Sequence, residues 1–150
     1  MTDYFKGRNI VAGVTEGEAV VSRTGFNAYA SFYNSLADDV QIAICADSGN
    51  QDTFSKILSG KILCIPNSIG STSAGAVWQR IVNLGIAPKA VLFSQTIDSL
   101  AAGGLIVVDV WGEKKICAID KLGNKFLETI QEGDWIKIQK EGSIIIVTRS

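Results

Sequence analysis

The sequence predicts one α/β domain, residues 1–150, built on a mixed, barrel-like sheet with a β-hairpin at each end. Three observations support this prediction. The length of 150 residues fits one domain. Short apolar segments, typical of strands, flank a strongly amphipathic helical segment in the middle of the chain. Turn residues separate the first pair and the last pair of predicted strands.

In the first third of the chain, the residue pattern predicts strands on both sides of an irregular segment. Residues 9–22 are expected to form two short strands joined by a turn at Glu16-Gly17-Glu18. Residues 23–38 lack a helical period and are expected to be a loop, and residues 40–46 are expected to form an apolar strand. The loop holds four aromatic residues that are candidates for the core, a pocket or an interface: Phe26, Tyr29, Phe32 and Tyr33.

A strand, a loop and a helix follow in the middle. The strand is predicted at residues 61–66, and a polar, glycine-containing loop occupies residues 67–73. Ser71 or Thr72 is a good N-cap for the helix, which Gly85 and then Pro88 would end. The apolar residues of the helix recur at the spacing of one helical face: Ala74, Val77, Trp78, Ile81 and Val82.

In the last third of the chain, the residue pattern predicts five strands, two short helices and a tight turn. The strands are expected at residues 89–93, 104–109, near 115–118, 134–139 and 143–148. The helices are expected around residues 96–102 and 122–129. Lys140-Glu141-Gly142 is expected to be the turn of the last hairpin.

Composition excludes several functions. The chain contains no histidine, which excludes Ser-His-Asp and Cys-His hydrolases and His-ligated zinc within it. A net charge of −1 argues against a nucleic-acid partner, and the apolar runs are too short to span a membrane. Hydrophobic residues make up 47% and charged residues 19%, so we expect a partner to cover some apolar surface.

The cysteines are expected to be core residues and not metal ligands. Cys45, Cys64 and Cys117 lie in or beside apolar strand runs, and their spacing matches no metal-binding motif. Their odd number and the polar N-terminus without a signal peptide predict a cytoplasmic protein. Asp98 is expected to be a helix-start charge, and Asp109 a strand-end cap or an acid.

The loop at residues 67–73 is the candidate site. In open α/β sheets, ligands bind beyond the carboxyl ends of the strands. A helix N-terminus there presents free N–H groups and a positive dipole end, which favour a carboxylate or a phosphate. Gly70 would allow a ligand to approach the backbone, and Ser71, Thr72 and Ser73 add hydroxyls. The alternative is that these hydroxyls only cap the helix.

These residues resemble a known family, the small subunit of the aconitase X enzymes, which is equivalent to the swivelling domain of aconitase. The resemblance covers nearly the whole chain, and its most specific parts are the loop around Gly70 and the segment IAPKA at residues 86–90. The matching residues are Gly7-Arg8, Gly13, Gly17-Glu18-Ala19, Lys61-Ile62-Leu63, Pro66, Gly70-Ser71-Thr72, Gly85, Ala87-Pro88-Lys89-Ala90 and Gly133-Asp134.

The resemblance implies a swivelling β/β/α domain that is one subunit of a hydro-lyase. A large partner subunit would carry an iron–sulfur cluster and its cysteine ligands, in a heterodimer or a higher assembly. Water would be removed from a small hydroxy acid, with cluster iron as the Lewis acid. Ser71 matches the general base of the family. The implied substrate-binding residues are Ser68, Gly70, Thr72 and Ser73.

One departure from the family bears on the substrate. Family members commonly place an arginine immediately before the Gly-Ser pair, where this chain has Ile69. Because arginine suits a phosphate, its loss favours cis-3-hydroxy-L-proline as the substrate and pyrroline-2-carboxylate as the product. The alternatives are the small subunit of phosphomevalonate dehydratase and a non-catalytic module that binds an anion or a partner.

Overall fold

Ten strands and four helices lie in the part of the chain that the structure, a computed structural model, describes, namely residues 2–36, 40–70, 74–111 and 114–147. The strands are β1 (Thr2–Lys6), β2 (Arg8–Val11), β3 (Thr15–Val21), β4 (Phe26–Asn27), β5 (Ile62–Ile65), β6 (Ser68–Ile69), β7 (Ala90–Phe93), β8 (Cys117–Asp120), β9 (Trp135–Ile138) and β10 (Ser143–Val147). The helices are α1 (Ala28–Phe32), α2 (Ala74–Asn83), α3 (Ser99–Trp111) and α4 (Asn124–Thr129), with a 3₁₀ turn at Tyr33–Ser35.

Eight of the strands form one mixed sheet that is nearly closed into a barrel. The order is β1-β10-β9-β3-β5-β7-β8-β2, with β3, β5, β7 and β8 parallel and the other pairs antiparallel. Only Gly7 separates β1 from β2, which lie at the two ends of this order. A Cβ on Gly7 would lie 2.3 Å from the carbonyl oxygen of Asp120, so this corner requires glycine. The predicted barrel-like α/β fold is confirmed.

The strands of the parallel half divide two cores between their faces. In β5, Leu63 and Ile65 pack with the residues of α2 and α3, whereas Ile62 and Cys64 pack with α4 and the antiparallel strands. All four side chains are buried. This alternation follows from the period of two along a strand, and burial on both faces explains why β5 is a continuous apolar run.

Helix α2 matches its prediction closely. Val77, Trp78 and Ile81 are buried in the core, as the apolar period requires. At its end, Ile86 N–H donates to Ile81 O at 3.1 Å and Gly85 N–H donates to Val82 O at 3.0 Å, which is a Schellman motif. The φ angle of Gly85 is 74°, in the left-handed region that favours glycine.

The predicted strand at residues 104–109 is wrong, because these residues belong to α3. Ala101, Leu105 and Val108 form its buried face, at helical spacing. Apolar residues also occupy the opposite face, where Ile106 and Val107 are exposed. A segment that is apolar on all sides carries no helical period, and its β-branched residues favour the wrong prediction.

The predicted N-terminal hairpin is also wrong. Glu16, Gly17 and Glu18 lie inside β3, and the chain turns at residues 12–14 instead. Strand β2 pairs with β8, whereas β3 pairs with β5 and β9. The last hairpin is confirmed: β9 and β10 pair directly, and Gly142, with φ at 90°, donates to Gln139 O at 3.1 Å in their turn.

Two further segments differ from their predictions. Residues 40–46 contribute only one bridge, between Ile44 and Ile57, and do not form a strand. The segment expected to be a loop at residues 23–38 contains β4, α1 and the 3₁₀ turn, although residues 37–39 lie outside the described residues. Short helices leave little periodic signal in a sequence.

Candidate active site

The carboxyl ends of three parallel strands meet at one cleft. Arg23 follows β3, Pro66 follows β5, and Ser94 follows β7. Parallel strands end at the same edge of a sheet, which brings together residues that are far apart in sequence. The cleft has a volume of about 580 Å³ and is lined by Arg23, Pro66, Ser94, Gln95, Asn124, Leu127 and Glu128.

The predicted site loop starts beside this cleft. Asn67 follows the lining residue Pro66, and its Nδ2 donates to Gln95 Oε1 at 3.2 Å. Ser68 and Ile69 then form β6, which pairs with β4 in parallel. The hydroxyl oxygen of Ser68 is buried and has no hydrogen-bond partner in the described part of the chain.

Gly70 fits closely against its neighbour Asn27. Its φ angle is 101°, and a Cβ would lie 2.4 Å from Nδ2 of Asn27. Asn27 is itself fixed, because its Oδ1 accepts a hydrogen bond from Ala30 N–H at 3.0 Å as the N-cap of α1. Glycine at position 70 is thus required by packing and backbone conformation, apart from any contact with a ligand.

The predicted base, Ser71, lies outside the described residues, and so do two predicted substrate contacts, Thr72 and Ser73. The predicted N-cap of α2, Ser71 or Thr72, is therefore also outside them. The first turn of α2 is described, and its backbone contacts α3. A Cβ on Gly104 would lie 2.6 Å from Cα of Gly75. The two helices can approach this closely because both positions are glycine, and the contact positions the start of α2.

An ion pair between an exposed arginine and a buried carboxylate lies at the same edge of the sheet. Asp120 is fully buried and accepts hydrogen bonds from Arg8 Nε at 2.9 Å and Arg8 Nη2 at 2.7 Å. Its Oδ2 also accepts from Ile97 N–H at 2.8 Å, which fixes the segment after β7. The hydrogen bonds to Asp120 raise the pKa of Arg8 above its ordinary value. Sequence reasoning missed Asp120, although it ends an apolar run.

The carboxylates that the sequence singled out have other roles. Asp98 caps α3, because its Oδ2 accepts from Ala101 N–H at 3.0 Å, so the predicted helix-start charge is confirmed. Asp109 is an exposed residue within α3 and not at the end of a strand. Neither of them lines the cleft.

The cysteines are core residues, as predicted. Cys45, Cys64 and Cys117 are free and buried. Burial raises the pKa of Cys64 and of Cys117, which favours the neutral thiol over the thiolate that binds metals. The described residues contain no group of three or more His, Cys, Asp or Glu side chains placed to hold a metal ion. They do not fit an iron–sulfur cluster.

The four aromatic residues of α1 and its surroundings divide between two roles. Phe26 and Phe32 are fully buried and pack on Trp78, with ring centroids 6.3 Å and 5.7 Å away. Tyr29 and Tyr33 are exposed and contact each other edge to face at 5.5 Å. The phenylalanines belong to the core, and the tyrosines remain candidates for an interface.

Comparison with known proteins identifies the family. A family model described as the aconitase X swivel domain matches residues 4–147. The chain belongs to the aconitase X swivel-domain family. Among solved structures, the aconitase X of Thermococcus kodakaraensis in its holo form superposes with a TM-score of 0.78 at 26% identity, covering 97% of this chain and 99% of that one. This confirms the family and the swivelling β/β/α fold that the resemblance implied.

The curated relatives of this aconitase X domain are dehydratase small subunits. The phosphomevalonate dehydratase small subunit of Methanosarcina acetivorans is 28% identical over 144 residues, which are 95% of this chain and 90% of that protein. That of Pyrococcus furiosus is 35% identical over 102 residues, 68% of this chain and 71% of that protein. The expected enzyme class, a hydro-lyase subunit, is confirmed by these relatives.

The substrate inferred from Ile69, cis-3-hydroxy-L-proline, is wrong. The relatives are consistently phosphomevalonate dehydratase small subunits, which agrees with the alternative reading of the sequence. The inference treated one loop position as the only source of a cation. A cation can come from another part of the chain, since Arg23, which follows β3, also lines the cleft beside this loop. No helix in the described ranges is long and apolar enough to cross a bilayer.

Proposed function

We propose that this aconitase X domain is the small subunit of a two-chain enzyme that dehydrates phosphomevalonate. The observation that carries the proposal is the relationship to the Methanosarcina acetivorans subunit, which extends over 95% of this chain. A match over nearly the full length of both proteins supports a shared activity better than a shared fold does. The cleft, which contains a cation and a hydroxyl, is compatible with an anionic substrate.

In this proposal Ser71 is the general base that removes the proton next to the substrate carboxylate. The family resemblance supports this role, and so does its place in the sequence, three residues before α2 begins. A serine alkoxide needs positive potential, which the N-terminal end of a ten-residue helix provides. Ser68, Gly70, Thr72 and Ser73 are proposed to contact the substrate.

The proposal assigns the iron–sulfur cluster to a large partner subunit. The described residues of this chain do not fit such a cluster. The partner also explains the apolar residues that α3 exposes, Leu100, Ile106 and Val107. What this chain contributes to the reaction is the site loop and the cleft beside it.

The experiment that tests the proposal is an assay of the purified pair. The chain is expressed together with a cysteine-bearing large subunit, and phosphomevalonate is followed by mass spectrometry for the loss of one water. We expect turnover by the pair and none by this chain alone. Failure of the pair, with its cluster present, to dehydrate phosphomevalonate would reject the proposed function.

A further inference from the structure

Several polar side chains line the cleft at the carboxyl ends of β3, β5 and β7, and they are separate from the proposed base, Ser71. Ser94 and Gln95 follow β7, Arg23 follows β3, and two lining residues, Asn124 and Glu128, come from α4. The site loop begins at Asn67, directly after the lining residue Pro66. The cleft therefore adjoins the loop that carries Ser71.

Ser94 lines this cleft and has a buried hydroxyl. The backbone of Ser94 is fully paired, because its N–H donates to Ile65 O at 3.0 Å and its carbonyl accepts from Gly123 N–H at 2.8 Å. The side chain is different. The residue is only 5% exposed, and its Oγ has no hydrogen-bond partner within the described ranges. A buried hydroxyl without a partner costs stability, and a ligand oxygen in the cleft that Ser94 lines can accept its hydrogen bond.

Arg23 is anchored at the same cleft. Its backbone N–H donates to Asp52 Oδ2 at 2.7 Å, and its Nη2 donates to Ile130 O at 2.6 Å. A guanidinium has five N–H donors, and the bond to Ile130 uses one of them. The bond also restricts the orientation of the side chain, so binding a ligand through the remaining donors costs less entropy.

We propose that this cleft binds the phosphate group of the substrate, with Arg23 and Ser94 as its hydrogen-bond donors. This inference rests on the proposed function. The proton that the base removes lies next to the carboxylate of phosphomevalonate, so the carboxylate end belongs at the loop with Ser71. The phosphate is at the other end of the molecule and reaches the neighbouring cleft. A guanidinium and a hydroxyl suit a phosphate, because both donate to its oxygens.

Among the described residues that line the cleft, Glu128 is the acidic one, and it is exposed. A carboxylate near a bound phosphate repels it, and solvent weakens this repulsion at an exposed position. Its removal should therefore strengthen the binding of an anion. Glu128→Gln is therefore expected to strengthen phosphate binding, whereas changes of Arg23 and Ser94 are expected to weaken it.

The test measures kinetics of the assembled two-chain enzyme with phosphomevalonate, and inhibition by inorganic phosphate and by acetate. The variants are Ser94→Ala, Arg23→Met, Arg23→Lys and Glu128→Gln. Arg80→Gln is the matched control, since Arg80 is also an exposed arginine whose Nη2 donates to a backbone carbonyl, that of Leu36 at 3.4 Å, but it does not line the cleft. Thermal unfolding of each complex checks that it remains folded.

We expect Arg23→Met and Ser94→Ala to raise KM and the inhibition constant of phosphate by roughly 10- to 100-fold, the range for a lost hydrogen bond to a charged group. Turnover should change far less, because the phosphate is remote from the reacting carbons. Arg23→Lys should restore part of the affinity, and Glu128→Gln should lower the inhibition constant of phosphate. Acetate inhibition and the control variant should not change.

The results separate this inference from the proposed function. A wild-type complex that dehydrates phosphomevalonate, with Ser94→Ala and Arg23→Met unaltered in KM and in phosphate inhibition, overturns the inference alone. Weakened acetate inhibition with unchanged phosphate inhibition shows that the cleft holds the carboxylate, and it also overturns the inference. A wild-type complex without phosphomevalonate dehydration overturns the proposed function, and the assignment of the cleft is rejected with it.

Discussion

The two edges of the parallel strands differ in how their polar groups are satisfied. At the amino edge, a lysine precedes each of β5, β7 and β8, and each is bonded within the fold. The Nζ of Lys61 lies 3.1 Å from Glu18 Oε1, Lys89 donates to Glu16 O at 2.9 Å, and Lys115 donates to Ala12 O.

At the carboxyl edge, the hydroxyls of Ser68 and Ser94 have no partners in the part of the chain that the structure describes. Arg23 is placed at the cleft there. The amino edge pairs its lysines within the fold, whereas the carboxyl edge, which also contains the Arg8–Asp120 ion pair, leaves these two hydroxyls unpaired among the described residues. Changes at the two edges should therefore affect different measured quantities.

The largest expected effect is that of Ser71→Ala in the assembled enzyme. Loss of a general base typically lowers kcat by about 10²–10⁴-fold. Thr72→Ala is the control, and it should raise KM more than it lowers kcat. If Ser71 were only a helix cap, its removal would cost about 1 kcal/mol of stability and leave kcat nearly unchanged. Kinetics and thermal unfolding of the same samples distinguish these results.

Gly104→Ala tests the contact that positions the start of α2. The new Cβ would collide with the backbone of Gly75, and we expect a loss of about 1–3 kcal/mol in the free energy of unfolding. Gly103→Ala is the matched control, because a Cβ there meets no atom within 4 Å. Alanine is a better helix former, so the control should gain about 1 kcal/mol or less. Equal stability of the two variants in urea denaturation would contradict the contact.

The thiols predict a pH dependence of stability. Burial raises the pKa of Cys64, so the folded state keeps the neutral thiol while the unfolded state loses its proton above about pH 8.5. The unfolded state then becomes relatively more stable, and the free energy of unfolding should fall as the pH rises from 8 to 10. Cys64→Ala should reduce this slope, although it lowers stability at every pH. A slope that is the same in both proteins would show that Cys64 makes no contribution.

Lys89→Met at the amino edge has the smallest expected effect. The lysine is exposed and its bond to Glu16 O is open to solvent, so the loss of stability should be about 1 kcal/mol or less. The KM for phosphomevalonate should remain unchanged in the complex, in contrast to the variants of the cleft. A large rise in KM for Lys89→Met would place a ligand at the wrong edge.

The predictions that succeeded depend on local signals. Helix α2 is marked by its apolar period and by Gly85, and the last hairpin is marked by Gly142. Only the start of α3 was predicted, within the helix expected around residues 96–102, because apolar residues occupy both faces of the rest of the helix and hide its period. The turn predicted at Glu16-Gly17-Glu18 is wrong for a related reason. Gly17 lies inside β3, and a glycine inside a strand resembles a turn residue in the sequence.

The site was predicted only where it is continuous in sequence. The loop at residues 67–73 follows a clear strand and precedes a clear helix, so it could be identified. Arg23 and Ser94 could not, because they are 71 positions apart (94 − 23 = 71) and meet only through the parallel register of β3, β5 and β7. A single sequence contains no local pattern that predicts that these two residues line the same cleft.

Hydrogen–deuterium exchange of the assembled enzyme, with and without phosphomevalonate, tests the central claim most directly. We expect slower exchange on substrate binding at the carboxyl edge, in residues 66–70, 94–97 and 121–124. We expect no change at the amino edge, in residues 12–18, 85–89 and 114–117. Protection at the amino edge with none at the carboxyl edge would contradict the account, because the substrate would then bind where the lysines stabilise the barrel.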